Sequence, residues 1–197
     1  MTSSPTEATP LLRPALACIE LTSIARGIRM SDDMLKKATV HMLESACICP
    51  GKYLVVIAGE VEAVEESYGR GLEIGGPAVV DRLLLPNAHP QLIPAIGATS
   101  SVESAEGVDA IGVVETFAAA STILGADASC KRAAVSLIEL RLARGLGGKA
   151  FYTMTGSQAD VEAAVAAAVE LLGHESGLLL TTEIIPRPHR DLLRWLL

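Results

Sequence analysis

The chain has 197 residues, of which 50% are hydrophobic and only 3% are aromatic, and its formal net charge is −7 at pH 7. This length favours two domains of roughly 90–100 residues, with cores built from Ala, Val, Leu and Ile. The negative charge argues against a nucleic-acid partner, which needs basic patches, and no apolar run approaches the ~18–20 residues of a membrane span.

The N-terminal segment 1–13 lacks the charged and apolar regions of a signal peptide and is predicted to be a disordered tail. Without a secretion signal, the four cysteines are expected to be free thiols in a reducing cytoplasm. Cys18 and Cys130 are interpreted as small buried hydrophobic residues.

The first half of the chain is predicted to alternate strands with helices. Ile19 and Leu21 alternate with polar neighbours as in a strand, and Ser31 or Asp32 is expected to cap a helix that ends near Lys37. The predicted strands lie at about 15–22, 40–49, 53–58 and 78–85, and a second helix covers about 60–74.

A tight turn is predicted between the second and third strands. Pro50 fixes its own φ and pushes Cys49 toward an extended conformation. Gly51 accepts a positive φ at little steric cost. The turn therefore presents one thiol at its tip, three residues before Lys52.

The second half of the chain repeats the first. An offset of 95 (115 − 20) pairs Glu20 with Glu115, and the same offset pairs two further positions: Asp32 with Asp127 and Lys36 with Lys131. Gly51-Lys52 matches Gly148-Lys149, and Pro86-Asn87-Ala88-His89 matches Pro186-Arg187-Pro188-His189. The second half is accordingly expected to have strands near 110–116, 134–143, 149–155 and 178–185, with helices near 122–132 and 158–173.

The order βαββαβ in each half is that of a ferredoxin-like α/β sandwich. The chain is therefore predicted to be a tandem duplication of this fold. Its domains are expected at 14–97 and 108–197, joined by a linker at 98–107 that is rich in small polar residues.

These repeated motifs resemble the bacterial microcompartment shell domain. Two copies are similar to the tandem, trimer-forming class of that family, above all to the iron–sulfur-binding trimeric shell proteins of propanediol-utilisation compartments. The resemblance implies a pseudo-hexameric homotrimer with a central pore, which tiles with other shell proteins into the shell of a compartment in the cytoplasm. It implies a structural protein rather than an enzyme.

The resemblance also assigns residues to positions in the tile. The pore turns of the two halves correspond to Ile48, Cys49, Pro50, Gly51, Lys52, Leu146, Gly147 and Gly148. The edges that meet neighbouring tiles correspond to Lys36, Lys131, His89, Arg187 and His189.

A cofactor is implied at Cys49. In the resembling trimers this cysteine from each chain ligates a shared [4Fe–4S] cluster, which would transfer electrons across the shell or be delivered to redox enzymes in the lumen. Three thiolates leave one iron open or with a non-cysteine ligand. Cys47 is an extra thiol that the family does not require, and it either packs or complicates cluster assembly.

Two alternatives remain open from the sequence. The first is the same tile with an unmetallated, gated pore for small polar metabolites. The second is a soluble trimeric ligand-binding or regulatory protein on the same scaffold, which would stay a discrete trimer.

No catalytic arrangement is predicted. The run 145–149 fails as a phosphate loop because Ala150, not Ser or Thr, follows its lysine. His89 and His189 stand beside prolines without a paired carboxylate and are interpreted as structural. Glu20 and Glu115 are expected to share one structural role because they are related by the repeat, and Lys52 and Lys149 are interpreted as strand-edge residues.

Overall fold

The computed structural model describes residues 14–97, 108–173 and 178–196. The first half contains β1 (Ala15–Leu21), α1 (Ile24–Lys37), β2 (His41–Ile48), β3 (Lys52–Gly59), α2 (Val61–Gly75), β4 (Val79–Leu85) and α3 (Leu92–Ile96). The second half contains β5 (Ala110–Thr116), α4 (Ala119–Arg132), β6 (Ser136–Arg141), β7 (Ala150–Gly156), α5 (Gln158–Gly173), β8 (Leu179–Pro186) and α6 (Arg190–Leu196). The predicted tail and linker lie outside the described residues, so the domain limits stay predictions.

Each half forms a four-stranded antiparallel sheet, with strand orders β2-β3-β1-β4 and β6-β7-β5-β8. The registers of the sheets are duplicated as well: Cys18 lies opposite Val56, and the equivalent Val113 lies opposite Thr153. The pairing of β2 with β3 and the pairing of β6 with β7 each have a shift in register at equivalent positions. The tandem ferredoxin-like prediction is therefore confirmed.

The predicted start of the first helix was wrong. α1 begins at Ile24, and its N-cap is Ser23, whose hydroxyl accepts the N–H of Arg26 at 3.3 Å. Ser31 is instead buried inside the helix, where its hydroxyl donates to the carbonyl of Gly27 at 3.0 Å. A serine can lie inside a helix when its hydroxyl donates to a carbonyl of the preceding turn. The presence of a serine at position 31 therefore did not show where the helix begins.

Two short helices, α3 and α6, were not predicted. Each follows the Pro-x-x-His motif of its half, after which the sequence predicted no further element. In both, the N–H of the third residue after the histidine donates to the histidine carbonyl at 3.0 Å, from Leu92 to His89 and from Leu192 to His189. Among the described helices, none is long and apolar enough to cross a bilayer.

The core explains why β1 is buried on both faces. On one face, Ile19 and Leu21 pack with residues of α1, including Met30 and Met34. On the other face, Leu16 and Cys18 belong to a cluster that includes residues of α4 from the second half. The second half thus covers the first sheet, and this packing sets the relative position of the two predicted pore turns.

The close approach of α1 to β3 generates a prediction. A Cβ on Gly27 would lie 2.3 Å from Cδ1 of Tyr53, whose hydroxyl is hydrogen-bonded to Ser45 at 2.9 Å. Gly27→Ala should therefore lower the free energy of unfolding by about 1–3 kcal/mol through overpacking.

The matched control is Gly69→Ala on α2, where an added Cβ meets nothing within 4 Å. That variant should gain about 0.5–1 kcal/mol from helix propensity. Chemical denaturation of both variants measures the difference, and equal midpoints would contradict the packing described for α1.

Candidate functional site

Two turns at the same end of the two sheets form the candidate site. The first contains Cys49, Pro50 and Gly51 and joins β2 to β3, with a cis Cys49–Pro50 peptide and a φ of 71° at Gly51. The second joins β6 to β7 and has positive φ angles at Ala143, Gly145, Gly147 and Gly148. Glycine adopts such angles at little cost, which accounts for the glycine-rich sequence of the second turn.

The two turns touch each other. The N–H of Cys49 donates to the carbonyl of Ala143 at 3.1 Å. A Cβ on Gly148 would lie 3.2 Å from Cδ of Pro50 and 3.5 Å from the carbonyl oxygen of Cys49, so only glycine fits here without displacement. The structure therefore brings together residues that sequence reasoning had assigned to the pore from both halves.

A buried carboxylate anchors this pair of turns. Glu20 is 0% exposed; its Oε2 lies 2.6 Å from Nζ of Lys52, and its Oε1 accepts the N–H of Ala119 at 2.9 Å. Lys52 directly follows the first turn, and Ala119 is the first residue of α4. One side chain thus ties the turn that carries Cys49 to the second half of the chain.

The repeat-related Glu115 has only part of this arrangement. Its Oε1 lies 3.1 Å from Nζ of Lys149, and its side chain is 29% exposed. The sequence predicted a shared structural role for the two glutamates, but it treated the lysines as strand-edge residues.

The strand register explains why Glu20 meets Lys52. Glu20 lies opposite Leu54 in the β1–β3 register, so Lys52 is its diagonal neighbour on the same face.

The four cysteines differ in exposure. Cys47 is exposed and Cys49 is half-buried, whereas Cys18 and Cys130 are buried, as predicted. Burial, reinforced by the carboxylate of Glu20, raises the pKa of the Cys18 thiol well above its usual value. Burial also raises the pKa of Cys130 to about 12. The accessible thiols in the described structure are therefore Cys47 and Cys49.

Within the described part of one chain, no group of three His, Cys, Asp or Glu residues is arranged to hold a metal ion. Cys49 is the one sulfur ligand at the tip of the paired turns. A metal cluster at this place would need thiolates from several copies of the chain. Thiolate is the donor that iron–sulfur clusters prefer, so the donor type fits even though one chain supplies a single ligand.

Two of the residues assigned to tile edges lie at the junction between the halves. Nζ of Lys131 contacts both a carboxylate oxygen of Asp127 and the carbonyl of Asn87, each at 2.6 Å. The N–H of His89 donates to the same aspartate at 2.8 Å. Burial lowers the pKa of His89, and its Nδ1 accepts the N–H of Gln91 at 3.4 Å.

The other three edge candidates lie on the surface. Lys36 is 72% exposed and pairs with Asp32 one helical turn away. The N–H of Arg187 donates to the carbonyl of Asp109 at 2.7 Å, and the side chain of His189 is 79% exposed. The assignment of all five residues to edges between tiles stays a prediction.

Gln91 is a structural residue that sequence reasoning missed. Its Nε2 donates to the carbonyl of Val135 at 2.9 Å, and its Oε1 accepts the N–H of Leu137 at 2.8 Å. This amide therefore joins the segment before α3 to the start of β6 in the other half. No motif marks it, because a glutamine next to prolines has no characteristic pattern.

Comparison with known proteins gives a consistent result for both halves. The BMC domain matches residues 15–88 and 110–188. The bacterial microcompartment shell protein PduT of Citrobacter freundii is 42% identical over 180 residues, which cover 91% of this chain and 96% of that protein. The carboxysome shell protein CcmK1 of Thermosynechococcus vestitus is 34% identical over 84 residues, which cover 42% of this chain and 73% of that protein.

Comparison with solved structures also finds microcompartment proteins. A crystal structure of a microcompartment protein from Desulfitobacterium hafniense has a TM-score of 0.87 and 43% sequence identity, and the match covers 92% of this chain and 99% of that chain. A fused permuted hexameric shell protein from the RMM microcompartment shares the fold, with a TM-score of 0.59 at 23% identity over 81% of this chain and 84% of that chain.

The chain therefore belongs to the BMC-domain family of bacterial microcompartment shell proteins. It carries two such domains in tandem and is a component of a microcompartment shell.

The cysteine environments predict selective labelling of the metal-free protein. At pH 8, a thiol whose pKa is about 12 has only ~10⁻⁴ of its population as the reactive thiolate. Iodoacetamide should therefore modify Cys47 and Cys49 and leave Cys18 and Cys130 intact, as peptide mass spectrometry would show. Labelling in guanidinium chloride, where all four cysteines should react, is the control. Reaction of Cys18 or Cys130 in the folded protein at the rate of Cys47 would contradict the described burial.

Proposed function

We propose that three copies of this chain form a shell tile with a central pore, and that the three Cys49 thiolates hold one iron–sulfur cluster on its axis. The observation that carries the proposal is the contact between the two turns, in which Cys49 of the first half donates its N–H to Ala143 of the second. Each chain presents two adjoining turns and one thiol, so a threefold arrangement assembles six turns and three thiolates around one centre.

The donor set suits a cluster with three cysteine ligands. A [4Fe–4S] cluster normally takes four thiolates, and so one iron would be left for a ligand other than cysteine or remain open. When bound, the cluster supplies one-electron transfer, which would connect the two faces of the shell. It could equally be passed to redox enzymes on the luminal side.

The chain's own contribution is to position the thiols. The carbonyl of Ala143 fixes the backbone of Cys49, and the buried pair of Glu20 and Lys52 fixes the start of β3 just after the turn. Three thiols must lie at defined separations to share one cluster, and a turn held on both sides provides that precision.

The tile is a structural protein and not an enzyme. Both histidines of the Pro-x-x-His motifs use Nδ1 to accept a local backbone N–H, from Gln91 and from Asp191. These contacts support a structural role for His89 and His189. The relatives that match this chain are likewise named as shell proteins.

An open pore for small polar metabolites is the second candidate. The second turn favours it, since Gly145 and Gly147 have no neighbouring atom within 4 Å of an added Cβ. In the single chain these two residues of the predicted pore turn are therefore beside open space. This function needs no metal, and it predicts that Cys49 can be replaced without loss.

The cluster is tested on protein purified without oxygen. Wild-type protein should be brown and contain about four iron and four sulfide ions per trimer. Cys49→Ser should abolish the colour, whereas the matched control Cys47→Ser should keep it because Cys47 lies on β2 outside the turn. Iron and sulfide analysis with electron paramagnetic resonance measures both. Wild-type protein that stays colourless and iron-free after reconstitution with iron and sulfide would favour the open pore.

A further inference from the structure

The two halves of one chain meet at a junction within the described residues. We call it the domain junction. Besides the contact of Cys49 with Ala143 in the paired turns and the ion pair of Arg144 with Glu44, its polar contacts include four further interactions. These are the capping of α4 by Glu20, the contact of Lys131 with Asn87, the contact of His89 with Asp127, and the two hydrogen bonds of Gln91 with Val135 and Leu137.

The repeat supplies a second set of equivalent residues, divided between the two halves. The second half carries Glu115, Arg187, His189 and Asp191, and the first half carries Ile24, Asp32, Lys36, Val40 and Met42. The local conformations are also the same, since Nδ1 of His189 accepts the N–H of Asp191 at 3.2 Å, as His89 does from Gln91 at 3.4 Å.

In the described residues this second set is not joined within the chain. Lys36 contacts Asp32 but no carbonyl equivalent to that of Asn87, and Glu115 accepts no backbone N–H equivalent to that of Ala119. Within one chain, the two parts of this second set therefore remain apart.

The exposure of apolar side chains differs in the same way between the domain junction and the second set of residues. Ile28 on α1 is 56% exposed, whereas its repeat-related residue on α4, Ile123, is 0% exposed. The inner face of α1 already packs on its own sheet, so Ile28 lies on the outer face. On α4 that outer face is covered by β1 and β4 of the first half. Trp195 at the other end of the chain is 88% exposed, and its counterpart Ala95 is 3% exposed.

In the proposed pseudo-hexameric homotrimer the chain-to-chain junction repeats the domain junction, and we infer that it is the weaker of the two because Asp191 takes the place of Gln91. The inference rests on the proposed homotrimer. The second half of one chain docks on α1 and β2 of the next, where Glu115 accepts the N–H of Ile24 and the carbonyl of Arg187 accepts from Lys36.

The weakness follows from side-chain chemistry. The amide of Gln91 both donates and accepts, and so it satisfies the carbonyl of Val135 and the N–H of Leu137 together. An ionised aspartate has no donor. Asp191 is also one methylene shorter than glutamine, so in the next chain it offers at most an acceptor for the N–H of Met42 and leaves the carbonyl of Val40 without a donor. A missing hydrogen bond of this kind changes an equilibrium constant about fivefold.

Asp191→Gln should accordingly tighten the trimer. With three equivalent junctions, the trimer dissociation constant should fall about a hundredfold, which light scattering and sedimentation across a dilution series can measure. The ion pairs that the substitution removes, with His189 and Arg194, are exposed and contribute little. The control Glu170→Gln removes the same charge from the exposed surface of α5 and should leave the constant unchanged.

A second pair of variants tests the docking surface itself. Ile28→Glu should release monomers that remain folded, because Ile28 is already largely exposed in the single chain. Leu171→Glu on α5, at 41% exposure, should leave the trimer intact.

The outcomes separate the two claims. A wild-type trimer that Asp191→Gln does not tighten, or that Ile28→Glu does not break, overturns this inference and leaves the homotrimer standing. A wild-type chain that is monomeric at every concentration overturns the homotrimer and the inference together.

Discussion

The buried carboxylate of Glu20 is the interaction on which the rest of this structure depends. A carboxylate removed from water is costly unless charged and hydrogen-bonding partners replace the solvent. Here Lys52 supplies the charge and the N–H of Ala119 supplies a helix N-terminus, which favours negative charge. The first partner directly follows the turn that carries Cys49, and the second begins the helix that covers the first sheet. The geometry of the site and the packing of the two halves are therefore set by the same side chain.

Duplication also explains how the two turns came to differ. A ring built from identical domains must use one turn sequence six times, whereas a tandem chain can place a cysteine in one turn and glycines in the other. The contact of Gly148 with Pro50 shows the consequence, because the glycine lets the cysteine-bearing turn approach closely. The same freedom separates Gln91 from Asp191, and the proposed difference in strength between the two junctions rests on that pair.

The repeat predicted most of the fold, since the same offset separates Glu20 from Glu115 and Lys36 from Lys131, and equal offsets indicate equivalent elements in both halves. It predicted the position of the turns for the same reason. It did not predict the start of α1, because a buried serine and a capping serine are the same residue type. Nor did it predict the partners of Glu20 or Gln91, which depend on strand register and on the element of the other half that lies against them. Those are properties of packing, and a single sequence records them only indirectly.

The central claim is that Cys49 of three chains meets on one axis and shares a cluster there. The most direct measurement is a structure of the protein purified and crystallised without oxygen, with anomalous scattering recorded at the iron edge. The account predicts iron on the threefold axis, with the three Cys49 Sγ atoms within bonding distance of it. A trimer whose Cys49 side chains point away from the axis, with no iron between them, would contradict it.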